Sequence, residues 1–184
     1  MADQIVLQFS TSTALASELI RRLSHSPFSH IDIMLADGNL LGASDQGKHG
    51  KVIQGNPRGV AIRPPDYQEF GIRRRLVINT PVAQAIVDSA MQEIGKPFDD
   101  SALREFLSDA IVRDWRKPTK WFCSELIAHA FDEAGYWAPM RLNVPKNRIS
   151  PADFLMLLTL DPRVANWATF YDRVVGLKLG PKEK

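Results

Sequence analysis

The clearest alternation of apolar and polar residues lies at positions 30–35, which read His-Ile-Asp-Ile-Met-Leu. A period of two predicts a β-strand with one buried face. The pair Asp37-Gly38 follows; it favours a two-residue hairpin turn, and a return strand is predicted from Leu40-Leu41. Shorter apolar runs predict further strands at residues 5–9, 60–63, 73–79 and 168–175.

Helical signals come mainly from the second half of the chain. Thr80-Pro81 are good N-cap and first-turn residues for a helix through Ile94, and Ser150-Pro151 starts another helix. Three more helices are predicted at residues 13–23, 101–112 and 123–134. Because strands and helices are segregated rather than alternating, the predicted fold class is α+β with a mainly antiparallel sheet.

Length and composition are those of a globular protein. The 184 residues suffice for a single domain, 1–184, that buries roughly 70 % of its unfolded surface. An apolar fraction of 45 % and a charged fraction of 24 % are ordinary for such a domain. A net charge of +2 supplies no concentrated basic face, so no nucleic-acid partner is expected.

The sequence also indicates a compartment. One cysteine cannot form an internal disulfide framework, which suits a reducing environment. The first residues include Asp3 and no basic group, so they do not read as a signal peptide. The longest apolar run, residues 154–158, is too short for a transmembrane segment. A cytoplasmic location is therefore expected.

The single cysteine, Cys123, opens a helical pattern. The first turn of a helix has unpaired backbone N–H groups and the positive end of the dipole, which stabilise a thiolate. An apolar stripe lies at near-helical spacing from this residue and directs the sulfur toward the protein body. Its members are Leu126, Ile127, Ala130 and Ala134. Cys123 is thus a candidate nucleophile; the alternative is a small buried apolar residue.

A thiol nucleophile usually needs an imidazole partner that a third polar group orients. His129 lies on the far side of the Cys123 helix, about 240° round its axis, and is expected to be a solvated surface residue. His25 follows a basic helix end and His49 a glycine-rich loop, so both are expected to be solvated. His30 opens the alternating strand and shares a face with Asp32. It is therefore the candidate general base.

The predicted hairpin offers an orienting group for His30. If Asp37 and Gly38 are the two loop residues, Asp45 stands opposite His30 on the same face of the sheet, about 5 Å away at Cβ. Asp45 is then the predicted third catalytic residue. The alternative is that Asp45 starts the following loop, and a bulge would change the register.

These motifs resemble the circularly permuted NlpC/P60 papain-like group, which includes YiiX-like hydrolases and lecithin retinol acyltransferase-like enzymes. The similarity rests on Phe28-Ser-His-Ile-Asp32, on the hairpin that follows, and on Phe122-Cys-Ser-Glu-Leu126. In this group the histidine strand precedes the cysteine helix, as it does here. Gly95-Lys-Pro-Phe-Asp99 and Ile149-Ser-Pro-Ala-Asp153 also resemble group elements, so the similarity covers about residues 5–158.

Two departures from the group pattern are visible. Phe98 stands where members often carry a tyrosine. The polar residue that members often carry on the strand after the histidine has no counterpart in Leu40-Leu-Gly-Ala43. Asp45 is the substitute that hairpin geometry offers.

The resemblance implies a papain-like fold and a cysteine hydrolase of amidase or peptidase type that works through a thioester, without a metal or organic cofactor. Cys123 would attack the carbonyl, and His30 would transfer protons. Small-molecule, peptide and lipid acyl substrates all remain open. The alternatives are an acyltransferase on the same machinery and a catalytically silent binding module, for which the cationic and aromatic segment 113–121 could contact an acidic partner.

Overall fold

The computed structural model describes residues 4–12, 15–100, 119–136, 149–161 and 163–171. Seven strands of these residues form one sheet in the order β4-β5-β3-β2-β1-β6-β7, and all neighbouring strands are antiparallel. The strands are β1 Gln4–Ser12, β2 His30–Met34, β3 Leu40–Asp45, β4 Gln54–Gly55, β5 Arg58–Arg63, β6 Phe70–Asn79 and β7 Val164–Tyr171.

Four helices lie within the described residues: α1 Leu15–Ser24, α2 Ala83–Gln92, α3 Cys123–Glu133 and α4 Pro151–Thr159. The predicted start of α4 is confirmed by a capping box, in which Ser150 Oγ accepts from the Asp153 amide and the Asp153 carboxylate accepts from the Ser150 amide. The predicted helix at residues 101–112 lies outside the described residues. The α+β class with an antiparallel sheet is confirmed.

One face of the sheet carries the main core. Leu7 and Phe9 of β1 and Ile31 and Ile33 of β2 are fully buried there, because alternate residues of a strand point to the same side. The helix α3 packs on β2 and β3 through its own buried apolar residues. Each such side chain contributes about 1.5–3 kcal/mol on burial. This packing fixes the position of Cys123.

The other face of the same strands is polar and also buried. Gln8 stands opposite Asp32, and Ser10 stands opposite His30. Gln8, Ser10 and Asp32 are fully buried, as is Arg63 of β5. Buried polar groups are costly unless they are hydrogen-bonded. The hydrogen bonds of the polar side chains on this face are therefore important for stability.

The predicted register of the β2–β3 hairpin is wrong by one residue. Ile33 pairs with Leu41 and Met34 with Leu40. The Leu35 amide donates to the Asn39 carbonyl at 2.8 Å, which leaves a three-residue loop, and Gly38 adopts a left-handed φ of 85°. Three-residue hairpin loops commonly end on such a glycine. In this register Asp32 lies opposite Gly42.

Candidate active site

His30 and Cys123 meet in the structure. His30 is the first residue of β2, and Cys123 is the first residue of α3. The thiol is near enough to the imidazole for its charge and a hydrogen bond to it to raise the pKa of His30. The His30 side chain is 14 % exposed and Cys123 is 1 % exposed. The structure places the two residues in one site, and their catalytic role stays a prediction.

Asp32 orients the imidazole from the same strand. Its Oδ1 atom lies 2.9 Å from His30 Nε2, and the residue is fully buried. Residues two apart on a strand share a face, so this contact needs no distant element. Because Nε2 is engaged by Asp32, Nδ1 is the ring nitrogen left for Cys123.

Gly42 makes room for that carboxylate. A Cβ atom at position 42 would lie 2.0 Å from Asp32 Oδ1 and 3.1 Å from its Cγ. Real side chains do not approach so closely, so the close approach of Asp32 to β3 requires glycine. The strand after the histidine thus contributes space rather than a polar side chain.

Tyr67 is a fourth member of the site. It lies in the loop between β5 and β6, is 5 % exposed, and donates its hydroxyl to Asp32 Oδ2 at 3.1 Å. The hydroxyl oxygen of Tyr67 also lies 3.1 Å from His30 Nε2 and accepts from Gln68 Nε2 at 3.3 Å. Sequence reasoning missed Tyr67. Asp32 could have been found, because it follows His30 by two residues on a strand.

The electrostatics of the site favour an imidazolium. Burial alone would lower the pKa of His30, but the charges of Asp32 and Cys123 and hydrogen bonds to both raise it to about 10. A buried cation beside an anion keeps its charge in this way. His30 is therefore protonated at neutral pH. The pKa of Tyr67 is raised well above its usual range by burial and then by Asp32, so its hydroxyl keeps its proton.

The predicted contact between Asp45 and His30 is wrong. The Asp45 carboxylate accepts from Arg58 Nε at 3.2 Å and Nη2 at 3.3 Å, and from the Gly47 amide at 2.9 Å. Asp45 pairs with Arg58 across β3 and β5. It does not stand opposite His30, because the longer hairpin loop between β2 and β3 moves it one position past that residue. It is an exposed residue that caps the following loop.

Asp45→Asn is accordingly expected to leave kcat and stability near wild type, because Asp45 lines the cleft beside His30 but its carboxylate binds Arg58. The lost pair with Arg58 is at the surface, and such pairs contribute less than about 1 kcal/mol. Initial rates and urea unfolding of the two proteins measure both effects. A hundredfold loss of rate would restore Asp45 to the mechanism.

A cleft of about 260 Å³ opens beside His30. Phe98 and Phe122 form one wall, with ring centroids 5.6 Å apart. Most of the other lining residues carry hydroxyl or amide groups: Ser12, Ser17, Ser29, Ser44, Gln46 and Gln68. The cleft gives a small molecule access to His30 and to Phe122, the residue that precedes the buried Cys123.

The start of α3 faces this cleft through Phe122. Phe122 is the N-cap residue, and its ring cannot accept a hydrogen bond from the first turn. Its own amide donates to Glu125 Oε2 at 3.4 Å. The N–H groups at the start of a helix attract negative charge, and the Cys123 amide is the one nearest the sulfur.

The other histidines lie apart from Cys123. His129 is on α3 but is not solvated as predicted, since it stacks on Trp121 at 4.7 Å and is only 24 % exposed. His49 is exposed, as predicted. Trp121 is buried and anchors the end of the segment 113–121; residues 113–118 of that segment lie outside the described residues.

No group of three or more histidine, cysteine, aspartate or glutamate side chains among the described residues is arranged to hold a metal ion. None of the helices in this part of the chain combines the length and apolar composition needed to cross a membrane.

Comparison with known proteins supports the fold. No protein-family model matches the chain, and no curated protein matches it in sequence. Among solved structures, the metalloprotein YiiX from Escherichia coli O157:H7 is similar, with a TM-score of 0.54 and 16 % identity over 93 % of this chain and 99 % of that one. The chain therefore has a YiiX-like α+β fold. At this identity the description of YiiX as a metalloprotein applies to that protein.

Proposed function

We propose that the protein is a cysteine-dependent hydrolase of the amidase or peptidase type on a permuted NlpC/P60, papain-like fold. The observation that carries this proposal is the chain of contacts from Cys123 to His30 to the buried carboxylate of Asp32. A nucleophile, a base and a group that orients the base are the three parts of this chemistry. Asp32 takes the third role, which Asp45 was predicted to have.

In the proposed resting state the imidazolium of His30 lies beside the thiol of Cys123. An imidazolium beside a thiol at a helix N-terminus favours the thiolate, which attacks the substrate carbonyl and forms the carbon–sulfur bond. The oxyanion that results is held by the Cys123 backbone N–H. His30 Nδ1 then gives its proton to the leaving amine or alcohol as the carbonyl–heteroatom bond breaks. The product of this half-reaction is a thioester.

Thioester formation changes the base. The charge of Cys123 is one of the causes of the raised pKa of His30, and a thioester carries no charge. The pKa of His30 consequently falls in the acyl-enzyme, and the neutral imidazole can remove a proton from water. Attack of that water on the thioester releases the acid and restores the thiol.

The cleft favours substrates with hydrogen-bonding groups. Its hydroxyl and amide side chains suit a small polar acyl donor or a short peptide, and its Phe98–Phe122 wall suits one apolar group. The same thioester could pass its acyl group to an amine or an alcohol, so product analysis with such acceptors present separates hydrolysis from acyl transfer.

The pH dependence of alkylation tests the ion pair. In the wild type, iodoacetamide should modify Cys123 rapidly at neutral pH. The rate should then stay constant with rising pH until about pH 10, where His30 loses its proton. His30→Gln should slow the neutral reaction by at least about tenfold and leave a rate that rises around pH 8.5, as for a free thiol. Mass spectrometry of quenched samples measures these rates.

His129→Gln is the matched control, because this partly buried histidine lies on the Cys123 helix without contacting the thiol. Its rates should equal those of the wild type. Cys123→Ser should retain the fold and lose all hydrolysis of a panel of amides, esters and short peptides. A thiol that reacts only above about pH 9 in both wild type and His30→Gln would leave a catalytically silent binding module as the function.

A further inference from the structure

The hydroxyl of Tyr67 has contacts that a packing residue does not need. It lies 3.1 Å from Asp32 Oδ2, 3.1 Å from His30 Nε2 and 3.3 Å from Gln68 Nε2. The hydroxyl is therefore close to both charged members of the His30–Asp32 pair and to one amide of the cleft wall.

The chemistry of these groups fixes the direction of the bonds. The Gln68 amide nitrogen can only donate, so the Tyr67 oxygen accepts from it. An ionised carboxylate can only accept, so the Tyr67 proton points to Asp32 Oδ2. The imidazolium proton on His30 Nε2 then goes to Asp32 Oδ1, the nearer acceptor at 2.9 Å.

Each oxygen of Asp32 thereby has its own donor. Asp32 is fully buried, and a buried carboxylate stays ionised only when its oxygens are paired. His30 serves Oδ1 and Tyr67 serves Oδ2. Without the Tyr67 hydroxyl, the charged pair would lose stability relative to the neutral pair, in which the proton moves from His30 to Asp32.

The ring of Tyr67 is held by two neighbours. Phe70 packs edge-on against it at 5.4 Å, and the guanidinium of Arg63 lies 5.4 Å from its centroid. Arg63 is itself fully buried and fixed by backbone carbonyl acceptors. These acceptors are the carbonyls of Gly42, Ser44, Asn56, Gly59 and Ala61. These contacts restrict the positions that the Tyr67 hydroxyl can take.

We propose that Tyr67 is a positioning residue of this site, which fixes the carboxylate of Asp32 and keeps the His30–Asp32 pair charged, and that Gln68 sets the direction of its hydroxyl. The inference rests on the proposed function, since it concerns the same site. Its test nevertheless reads the protonation of His30 directly, without turnover.

Tyr67→Phe removes the hydroxyl and keeps the ring. The His30 imidazole signals, assigned with the His30→Gln variant, are followed by NMR from mildly acidic to strongly alkaline pH. We expect the midpoint of His30 to fall by about one to two pH units, as is usual when a hydrogen bond to a charged group is lost.

Tyr136→Phe is the matched control. Tyr136 is 2 % exposed and donates its hydroxyl to the carboxylate of the buried Asp161 at 2.8 Å, but its hydroxyl does not contact His30. A similar hydrogen bond is lost in both variants, so a general loosening of the protein would move the His30 midpoint in both. Only Tyr67→Phe should move it.

Gln68→Met tests the same proposal without altering the buried aromatic cluster. It should lower the His30 midpoint in the same direction by a smaller amount, because the Tyr67 hydroxyl then loses the donor that orients it. An unchanged midpoint in Tyr67→Phe, or in Gln68→Met if the first variant does not fold, overturns the proposal; so does an equal shift in Tyr136→Phe. A wild-type midpoint near 6.5 would instead refute the ion pair, and with it the proposed function.

Discussion

Asp32→Ala is expected to reduce turnover about a thousandfold, since proton transfer to or from a positioned side chain contributes roughly 10²–10⁴ in rate. Asp32 supplies both the charge that raises the pKa of His30 and the hydrogen bond that orients its ring. In its absence, burial lowers the pKa of His30, so the imidazolium is lost at neutral pH.

Asp32→Asn separates these two contributions. An asparagine oxygen can still accept from His30 Nε2, but it carries no charge. We expect the His30 midpoint to fall from about 10 in both variants, while Asp32→Asn retains more activity than Asp32→Ala because its ring stays oriented. The measurements are steady-state rates across pH and NMR titration of His30. Wild-type rates in Asp32→Ala would remove this carboxylate from the mechanism.

Gly42→Ala should be nearly as damaging, although position 42 carries no reactive group. The added methyl would lie 2.0 Å from the Asp32 oxygen that binds His30. The carboxylate cannot move aside without breaking its bonds to His30 and Tyr67. We expect a loss of activity of at least about a hundredfold and a loss of about 1–3 kcal/mol in unfolding free energy, as for other overpacked buried sites.

A double-mutant cycle identifies the cause of this loss. Asp32→Ala removes the atoms that the new methyl would strike, so Gly42→Ala should cost little stability in that background. The coupling between the two positions should then be of the order of 1 kcal/mol or more. Equal destabilisation by Gly42→Ala in both backgrounds would show that the effect comes from the strand and not from the carboxylate.

Much of the fold could be predicted from the local pattern of apolar, polar and capping residues. Alternation predicted β2, and the Ser150-Pro151 pair predicted the start of α4, because both signals act between residues close in sequence. The strand β4 was missed, since Gln54 and Gly55 are exposed and give no apolar signal. β7 begins at Val164, four residues before the predicted start, where its pairing with β6 rather than its composition decides the boundary.

The site was also predictable only where local pattern places its residues. His30 and Cys123 were found because each opens an element whose apolar face must be buried, and the core then brings the elements together. A two-residue turn predicted that Asp45 lies opposite His30, but Gly38 adopts the left-handed conformation of a three-residue loop. A shift of the strand register by one residue changes which side chains share a face. Tyr67 is set by tertiary packing, for which the local sequence carries no signal.

The pairing of Asp32 with Gly42 has a consequence for how such proteins diverge. The Asp32 carboxylate lies in the volume that a side chain at position 42 would occupy, so in this geometry Asp32 can carry the acid only while position 42 is glycine. An exchange of the two, with glycine at 32 and aspartate at 42, would deliver a carboxylate to the same volume from the other strand. Relatives could therefore place a carboxylate at the same point of the site from either strand. A sequence alignment would nevertheless score both positions as mismatches.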